Sequence, residues 1–275
     1  MVGAQSSEGD EMVDDVADDV AEGPVLVEER EGGVLVVTLN RPQARNAVDA
    51  ATAQALAAAV DRLEAGDHLR AGVLTGAGGT FCAGMDLKAF LRGETPMLPG
   101  RGFGGLTARP ARKPMIAAVE GWAVAGGFEL VLACDLVVAA RTARFGVPEV
   151  KRGLVAAAGA AVLLPQRIPR AVALEMLFTG DPIDAERAEA LGLVNRVTEE
   201  GGALLGALEL AGRIAVNGPL AVRVTQQVAR EAADWTFDEA WERQDELTRP
   251  VFLSDDAQEG SAAFAEKRAP RWTGR

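Results

Sequence analysis

Residues 24–202 of this 275-residue sequence predict an α/β core, and residues 203–275 an appended helical module. Three observations carry that prediction. Short apolar runs alternate with helix-period segments as far as residue 200. Four helical segments then follow with no strand between them. Twice, over 80–87 and 122–130, the chain leaves a buried strand through a tight glycine turn and enters a helical pattern.

In chain order, residues 1–23 hold Glu8, Asp10, Glu11, Asp14, Asp15, Asp18, Asp19 and Glu22 with no Lys or Arg. They read as a disordered acidic tail. Val25 to Val27 and Val34 to Leu39 read as a hairpin around the charged turn 28–33, closed by Asn40-Arg41-Pro42. Asp49 caps a helix running to Ala65, with Leu56, Ala59, Val60 and Leu63 on one face and Gly66 past its end. Ala71 to Thr75 is a buried strand leading into Gly76 and Phe81-Cys82-Ala83-Gly84. Residues 91–113, rich in Gly, Pro and Arg, read as a long mobile loop over a site. Met115 to Val119 is a buried strand, Phe128 to Asp135 a helix and Asp135 to Ala140 a further strand. Pro148 suits the first position of a short helix. Helices follow over 155–164, 171–178 and 185–191, with a short strand over 194–197. The terminal helices fall at 203–216, 219–233, 237–248 and 256–267, the last opened by Asp255 and Gln258 as a capping pair.

Composition removes several functional classes. The net charge is −12, and without the eight acids of the first 23 residues it is −4. A nucleic-acid partner needs a basic footprint that this chain lacks, although Arg41, Arg45 and Lys88 can hold a small phosphorylated ligand. No apolar run is long enough to cross a bilayer, and the acidic N-terminus is not a secretory signal. Cys82 and Cys134 sit in apolar surroundings and form neither a disulfide framework nor a metal pattern, which suits a cytoplasmic protein without metal. The single His68 lies in a turn, and there is no tyrosine. A Ser-His-Asp triad or His-rich metal site therefore has no basis, and proton chemistry falls to carboxylates. A complete dinucleotide fingerprint and a Walker lysine are both missing, so no redox or nucleotide cofactor is expected.

The segment Glu120 to Leu130 concentrates the chemistry. Gly126 and Gly127 let a ligand approach the backbone, and a helix start leaves N–H groups without partners. Glu129 is the lone acid inside the apolar part of that segment. Each of the two glycine turns can offer one N–H to a single oxygen, the two-donor form of an oxyanion hole. Read alone, the same residues are satisfied by a tight turn, a first-turn acid at Glu129 and a helix cap at Asp86. Glu149, after Pro148, is a second candidate acid. It equally fits a helix-dipole role beside Lys151 and Arg152.

The motifs match a family. Phe81-Cys82-Ala83-Gly84-Met85-Asp86-Leu87, Ala125-Gly126-Gly127-Phe128-Glu129-Leu130 with Cys134-Asp135, and Phe145-Gly146-Val147-Pro148-Glu149 resemble the crotonase (enoyl-CoA hydratase/isomerase) superfamily. Leu39-Asn40-Arg41-Pro42 with Asn46-Ala47, and Glu259-Gly260 with Ala263-Phe264 and Glu266-Lys267-Arg268, are similar too. The resemblance spans residues 25–272. It implies a spiral of ββα repeats with a helical C-terminal oligomerisation module, assembled as trimers or dimers of trimers. It further implies an acyl-CoA substrate, with coenzyme A as part of that substrate. The family's oxyanion donors fall on the N–H groups of Met85 and Gly126. Its hydratase acids fall on Glu129, which helps activate water for attack at C3, and Glu149, which exchanges the proton at C2. The CoA moiety would run past Ala44, Arg45, Ala83, Asp86, Leu87 and Gly127, with Phe252 and Lys267 at its adenosine end, from a neighbouring subunit.

Keeping both acids favours reversible hydration of 2-enoyl-CoA. The alternatives within the resemblance are an isomerase, which typically works with one acid, and a carnitinyl-CoA dehydratase. The second is suggested by Phe128-Glu129-Leu130 and by 102–107. A catalytically silent binding protein is the alternative outside enzymes. One segment departs from the pattern: Val155-Ala156-Ala157-Ala158-Gly159-Ala160 replaces a glycine-rich run, and its methyls are expected to narrow the acyl pocket.

Overall fold

The computed structural model describes residues 23–275. The acidic tail read over 1–23 lies, but for its last residue, outside them. The chain opens with β1 (Val25–Arg30) and β2 (Val34–Leu39), an antiparallel pair whose turn places Gly32 and Gly33 at φ +77° and +76°. Then come α1 (Ala50–Ala65), β3 (Ala71–Gly76), α2 (Leu87–Leu91), the short pair β4 (Met97–Leu98) and β5 (Gly102–Phe103), and β6 (Met115–Val119). They are followed by β7 (Trp122–Val124), α3 (Gly126–Ala133), β8 (Leu136–Ala140) and β9 (Arg144–Gly146). Next are α4 (Ala160–Arg167), α5 (Arg170–Thr179), β10 (Ile183–Asp184), α6 (Ala185–Ala190) and β11 (Arg196–Thr198). The chain closes with α7 (Ala203–Ala215), α8 (Pro219–Glu231), α9 (Phe237–Phe252) and α10 (Asp255–Glu266).

Two sheets organise these elements. The larger has the order β1-β2-β3-β6-β8-β11, parallel throughout except for the first hairpin. The smaller has the order β10-β9-β7, with β7 and β9 parallel. Alternation along the large sheet decides what covers each face. On one face Val34, Val36, Val73 and Ile116 pack against Ala203, Ala207 and Ala211, four residues apart on α7. Those small side chains let α7 lie close, and a Cβ at its Gly206 would sit 3.1 Å from Val138 and from Thr198. On the other face Leu35, Val37 and Leu74 join Leu56, Val60 and Leu63 of α1 in the main core. Burying each such aliphatic side chain contributes about 1.5–3 kcal/mol. The helical C-terminal run thus begins with a helix that is part of the sheet's packing. Among the described residues no helix is long and apolar enough to cross a membrane.

Local expectations hold at the N-terminal end. Asp49 caps α1 by accepting from Thr52 N at 2.8 Å, and His68 is exposed in the turn after α1, 2.9 Å from Glu29. Three expectations need correction. Residues 91–113 are a packed wall rather than a loose loop, with Phe103 and Leu106 buried and Arg101 bound to both oxygens of Asp61. The helix expected over 155–164 begins only at Ala160, because the backbone before it is diverted to another task described below. The cap of α10 is Ser254, accepting from Ala257 N at 3.1 Å, whereas the reciprocal capping box joins Thr236 and Glu239 at the start of α9. Asp256 instead accepts from Thr273 and Gly274 and fastens the C-terminal tail to α10.

Candidate active site

Three parallel segments end side by side. Cys82 N donates to Trp122 O at 2.9 Å and Val124 N to Cys82 O at 3.1 Å, which lays Phe81-Cys82 along β7. On the other side of β7, Ala123 is opposite Phe145 and Val124 opposite Gly146 of β9. The first two then hand over to loops, 83–86 and 125–126, and the third passes through Val147 into a short 3-10 helix, Pro148–Arg152, which carries Glu149 and has Pro148 at its start as expected. The C-terminal ends of parallel strands are where α/β folds gather ligand-binding loops. This pairing brings together the three motifs singled out in the sequence.

The first two loops form a pair of open donors. Val48 N donates to Gly84 O and Asp86 N to Val48 O, so Val48 brackets Met85 and turns the Met85 N–H away from itself. Gly84 stands at φ +94°, and a Cβ there would lie 2.8 Å from the Ala125 Cβ and 3.0 Å from Gly126 N. The two loops therefore touch, and only glycine fits between them. In the second, Ala125 takes φ 52° and ψ −132°, a conformation that glycine adopts far more readily. It lets Phe128 N and Glu129 N converge on Ala125 O and leaves Gly126 N at the start of α3. Neither Met85 N–H nor Gly126 N–H has an acceptor among the described residues. Packing by itself also requires glycine at 126 and 127. A Cβ at Gly126 would strike the Phe103 ring at 2.5 Å, and one at Gly127 the Cys82 carbonyl at 2.2 Å.

Glu129, in the first turn of α3 after β7, and Glu149, just past β9, lie near enough for the charge of Glu149 to act on Glu129. Glu129 is 3% exposed, and its Oε1 accepts from Ala158 N at 2.8 Å and Ala160 N at 3.0 Å. Burial pushes its carboxyl above the usual range; the Ala160 and Ala158 N–H groups pull it partway back, and the charge of Glu149 adds to the rise. Burial likewise raises Glu149, with its own backbone N–H and Arg152 opposing. The Glu149 Oε2 is buried with no hydrogen-bond partner. An unmet buried carboxylate oxygen is costly, and a ligand or water hydroxyl would satisfy it. Two acids with raised affinity for protons beside a pair of open N–H donors are equipped to move protons next to a stabilised oxyanion.

The remaining expected residues divide into two groups. Ala83 N donates to Arg45 O at 3.0 Å, so Ala44 and Arg45 adjoin the first donor loop, with Leu87 exposed beyond it. Arg45 and Lys88 are exposed, but Arg41 is already engaged by Asp86 and Asp49 at 2.9 and 3.1 Å. Asp86 is engaged as well, capping α2 through Oδ1 and holding Arg41 through Oδ2. Phe252 lines a groove of the C-terminal helices with Leu220, Phe264 and Trp272, and Lys267 ends α10 in the left-handed region. Ala158 and Ala160 have a role that their methyls did not announce, since their N–H groups hold Glu129. The sequence carried one signal of this: Gly159, at φ +126°, interrupts the alanine run and starts α4 at Ala160.

The fold and the site define a class: a mixed α/β chain with paired backbone donors and paired buried carboxyls at the ends of neighbouring parallel segments. The sequence profile of the enoyl-CoA hydratase/isomerase family matches residues 29–275, and this chain belongs to that family. It is 43% identical over 267 residues to enoyl-CoA hydratase EchA19 of Mycobacterium tuberculosis, covering 93% of this chain and 99% of that protein. It is 41% identical over 256 residues to the carnitinyl-CoA dehydratase of Proteus mirabilis, covering 89% and 96%. The crystal structure of enoyl-CoA hydratase EchA1 from Mycobacterium marinum superimposes with a TM-score of 0.91 at 56% identity, over 92% of this chain and 100% of that one.

Proposed function

We propose that this enzyme adds water reversibly across the double bond of 2-enoyl-CoA thioesters to give 3-hydroxyacyl-CoA. The observation that carries the reading is the convergence of Glu129 and Glu149, both raised by burial, beside the open N–H groups of Met85 and Gly126. The thioester carbonyl accepts from those two N–H groups. A water held between the carboxyls attacks C3, and the double-bond electrons move onto the thioester oxygen as an enolate. Glu129 takes a proton from the water, Glu149 delivers one to C2, and the proton on Glu129 passes to Glu149 by way of the next bound water, which restores the pair. Hydrogen and hydroxyl are then both on the substrate, and reversal is dehydration. Holding Oε1 of Glu129 with two N–H groups aims its other oxygen without a mobile side chain.

A dehydratase of a cationic acyl-CoA is the second reading, favoured by the 41% identity to carnitinyl-CoA dehydratase. A trimethylammonium group calls for an aromatic or acidic wall. Of the candidates Phe103 and Trp122, Phe103 is 4% exposed and packed against Gly126, and Trp122, 48% exposed, stands at the opposite end of β7 from the Gly126 turn, which ranks this substrate second. Ala44, Arg45, Ala83, Asp86, Leu87 and Gly127 remain proposals for CoA contact, and Phe252 and Lys267 proposals for contact from a neighbouring copy. Exposed Phe237 and Trp241 on α9, Leu253 just past it and Phe264 on α10 support association as a trimer or dimer of trimers. The buried unpaired thiols Cys82 and Cys134 suit a cytoplasmic setting.

The test is loss of the conjugated-thioester ultraviolet band of crotonyl-CoA with purified protein, with the hydroxyacyl product confirmed by mass. Turnover of crotonobetainyl-CoA alone would promote the second reading. Tight thioester binding without turnover of either substrate would favour a binding protein.

A further inference from the structure

We propose that Arg41 is a positioning residue for this reaction: one guanidinium grips Asp86, Asp49 and the Ala47 carbonyl and so fixes the direction of the Met85 N–H. The inference rests on the reading of Met85 as a donor to the thioester carbonyl. Arg41 Nη2 lies 2.9 Å from Asp86 Oδ2 and 3.1 Å from Asp49 Oδ2, while Nη1 donates to Ala47 O. Asp86 and Asp49 are the N-caps of α2 and α1, so a single planar fork ties two helix starts together. Between those anchors lies the segment that brackets Met85: Ala47 precedes Val48, whose N–H and carbonyl clamp Gly84 and Asp86 on either side of it.

The other end of the brace is equally fixed. Asn46 is 1% exposed and stands at φ +55°. Its Oδ1 accepts from Arg41 N at 2.9 Å, and its Nδ2 donates to Ala77 O at 2.9 Å and Thr80 O at 2.7 Å. Asn46 thereby seats Arg41 on the glycine-rich approach to Phe81, and the guanidinium reaches forward to the residue after the donor. The side chains of Arg41, Asp49 and Asp86 are 20%, 17% and 13% exposed, so this is a sheltered ion cluster rather than a surface pair. A lysine has one point of charge and lacks the fork that reaches three acceptors.

The two oxygens of Asp86 separate positioning from helix capping. Oδ1 accepts from Lys88 N and Ala89 N, and Oδ2 faces Arg41. Asp86→Asn keeps an acceptor for the cap but turns an amide donor toward the guanidinium. The experiment compares the full-length protein with Asp86→Asn and Arg41→Lys. It reads kcat and KM for crotonyl-CoA, the melting temperature, and the absorption maximum of a bound push–pull cinnamoyl-CoA. Polarisation of that thioester carbonyl moves the band to the red. The expected result is a fall in kcat of about 10- to 100-fold, KM held within about threefold, and a smaller red shift at equal occupancy. Should Arg41→Lys fail to fold, Asp86→Asn carries the decision. Unchanged kcat, or a lower kcat with the wild-type red shift, overturns the positioning role alone. A wild-type protein that neither hydrates crotonyl-CoA nor shifts the chromophore overturns the hydratase reading with it.

Discussion

Ala125 N donates to Gly146 O at 2.9 Å, one residue beyond the point where Val124 and Gly146 pair across β7 and β9. That bond extends the pairing into the loops. It fixes the turn that presents Gly126 N against the strand that delivers Glu149. Donor and acid are thereby spaced by backbone geometry, although 23 positions separate Gly126 from Glu149 in sequence.

Ala125 holds this bond at φ 52° and ψ −132°, where a non-glycine residue carries about 1–3 kcal/mol of strain. Ala125→Gly is expected to raise the melting temperature by about 2–4 °C, because relief of strain outweighs the entropy of glycine in the unfolded chain. A lower melting temperature in calorimetry would show that the turn is not strained.

Ala160 is the first residue of α4, where proline is tolerated, and its N–H holds Glu129. Ala160→Pro should fold yet remove one of the two hydrogen bonds to Oε1. The Glu129 carboxyl then rises further, and kcat falls by about 10- to 100-fold. A variant with full activity and an unaltered pH profile would show that the cradle has no part in aiming Glu129.

Gly126→Ala drives a methyl into the Phe103 ring and is expected to destabilise the fold by about 1–3 kcal/mol. Combining it with Phe103→Leu, which withdraws the ring, should recover part of that loss. Denaturant melts of the two single variants and the double variant give the coupling directly. Additive losses would mean that the two residues do not meet.

Most of the large sheet was legible because its signals are local. The hairpin, the Asp49 cap and the apolar runs of β3, β6 and β8 are each written within a few residues. The site was legible as motifs but not as an arrangement. β7 and β9 are three residues long, too short for a periodic signal, and their pairing is what joins the acids. The helix expected over 155–164 was overextended for a related reason. Alanine favours helix, but the N–H groups of Ala158 and Ala160 bond a carboxylate some thirty positions away in sequence. Residues 91–113 misled because their anchors, Phe103 against Gly126 and Arg101 against Asp61, are also distant in sequence.

The raised Glu149 carboxyl makes a signed prediction for stability. Below the ordinary carboxyl value of 4.5 it is protonated in both folded and unfolded chains. As pH rises toward the elevated folded value the unfolded chain ionises more readily, and stability is lost. Glu149→Gln removes that loss. Its melting temperature should exceed wild type by about 2–4 °C above neutrality, and the difference should shrink as pH falls to 4. A gap independent of pH would contradict the raised carboxyl.

The proposed hydration of an enoyl thioester requires both Glu129 and Glu149. The most direct measurement is the initial rate of crotonyl-CoA hydration by wild type, Glu129→Gln and Glu149→Gln, with thioester binding measured alongside. Rapid hydration by wild type, with each variant slower by about 10²–10⁴-fold and binding retained, is the predicted result. Wild-type rates in either variant would contradict the two-acid account.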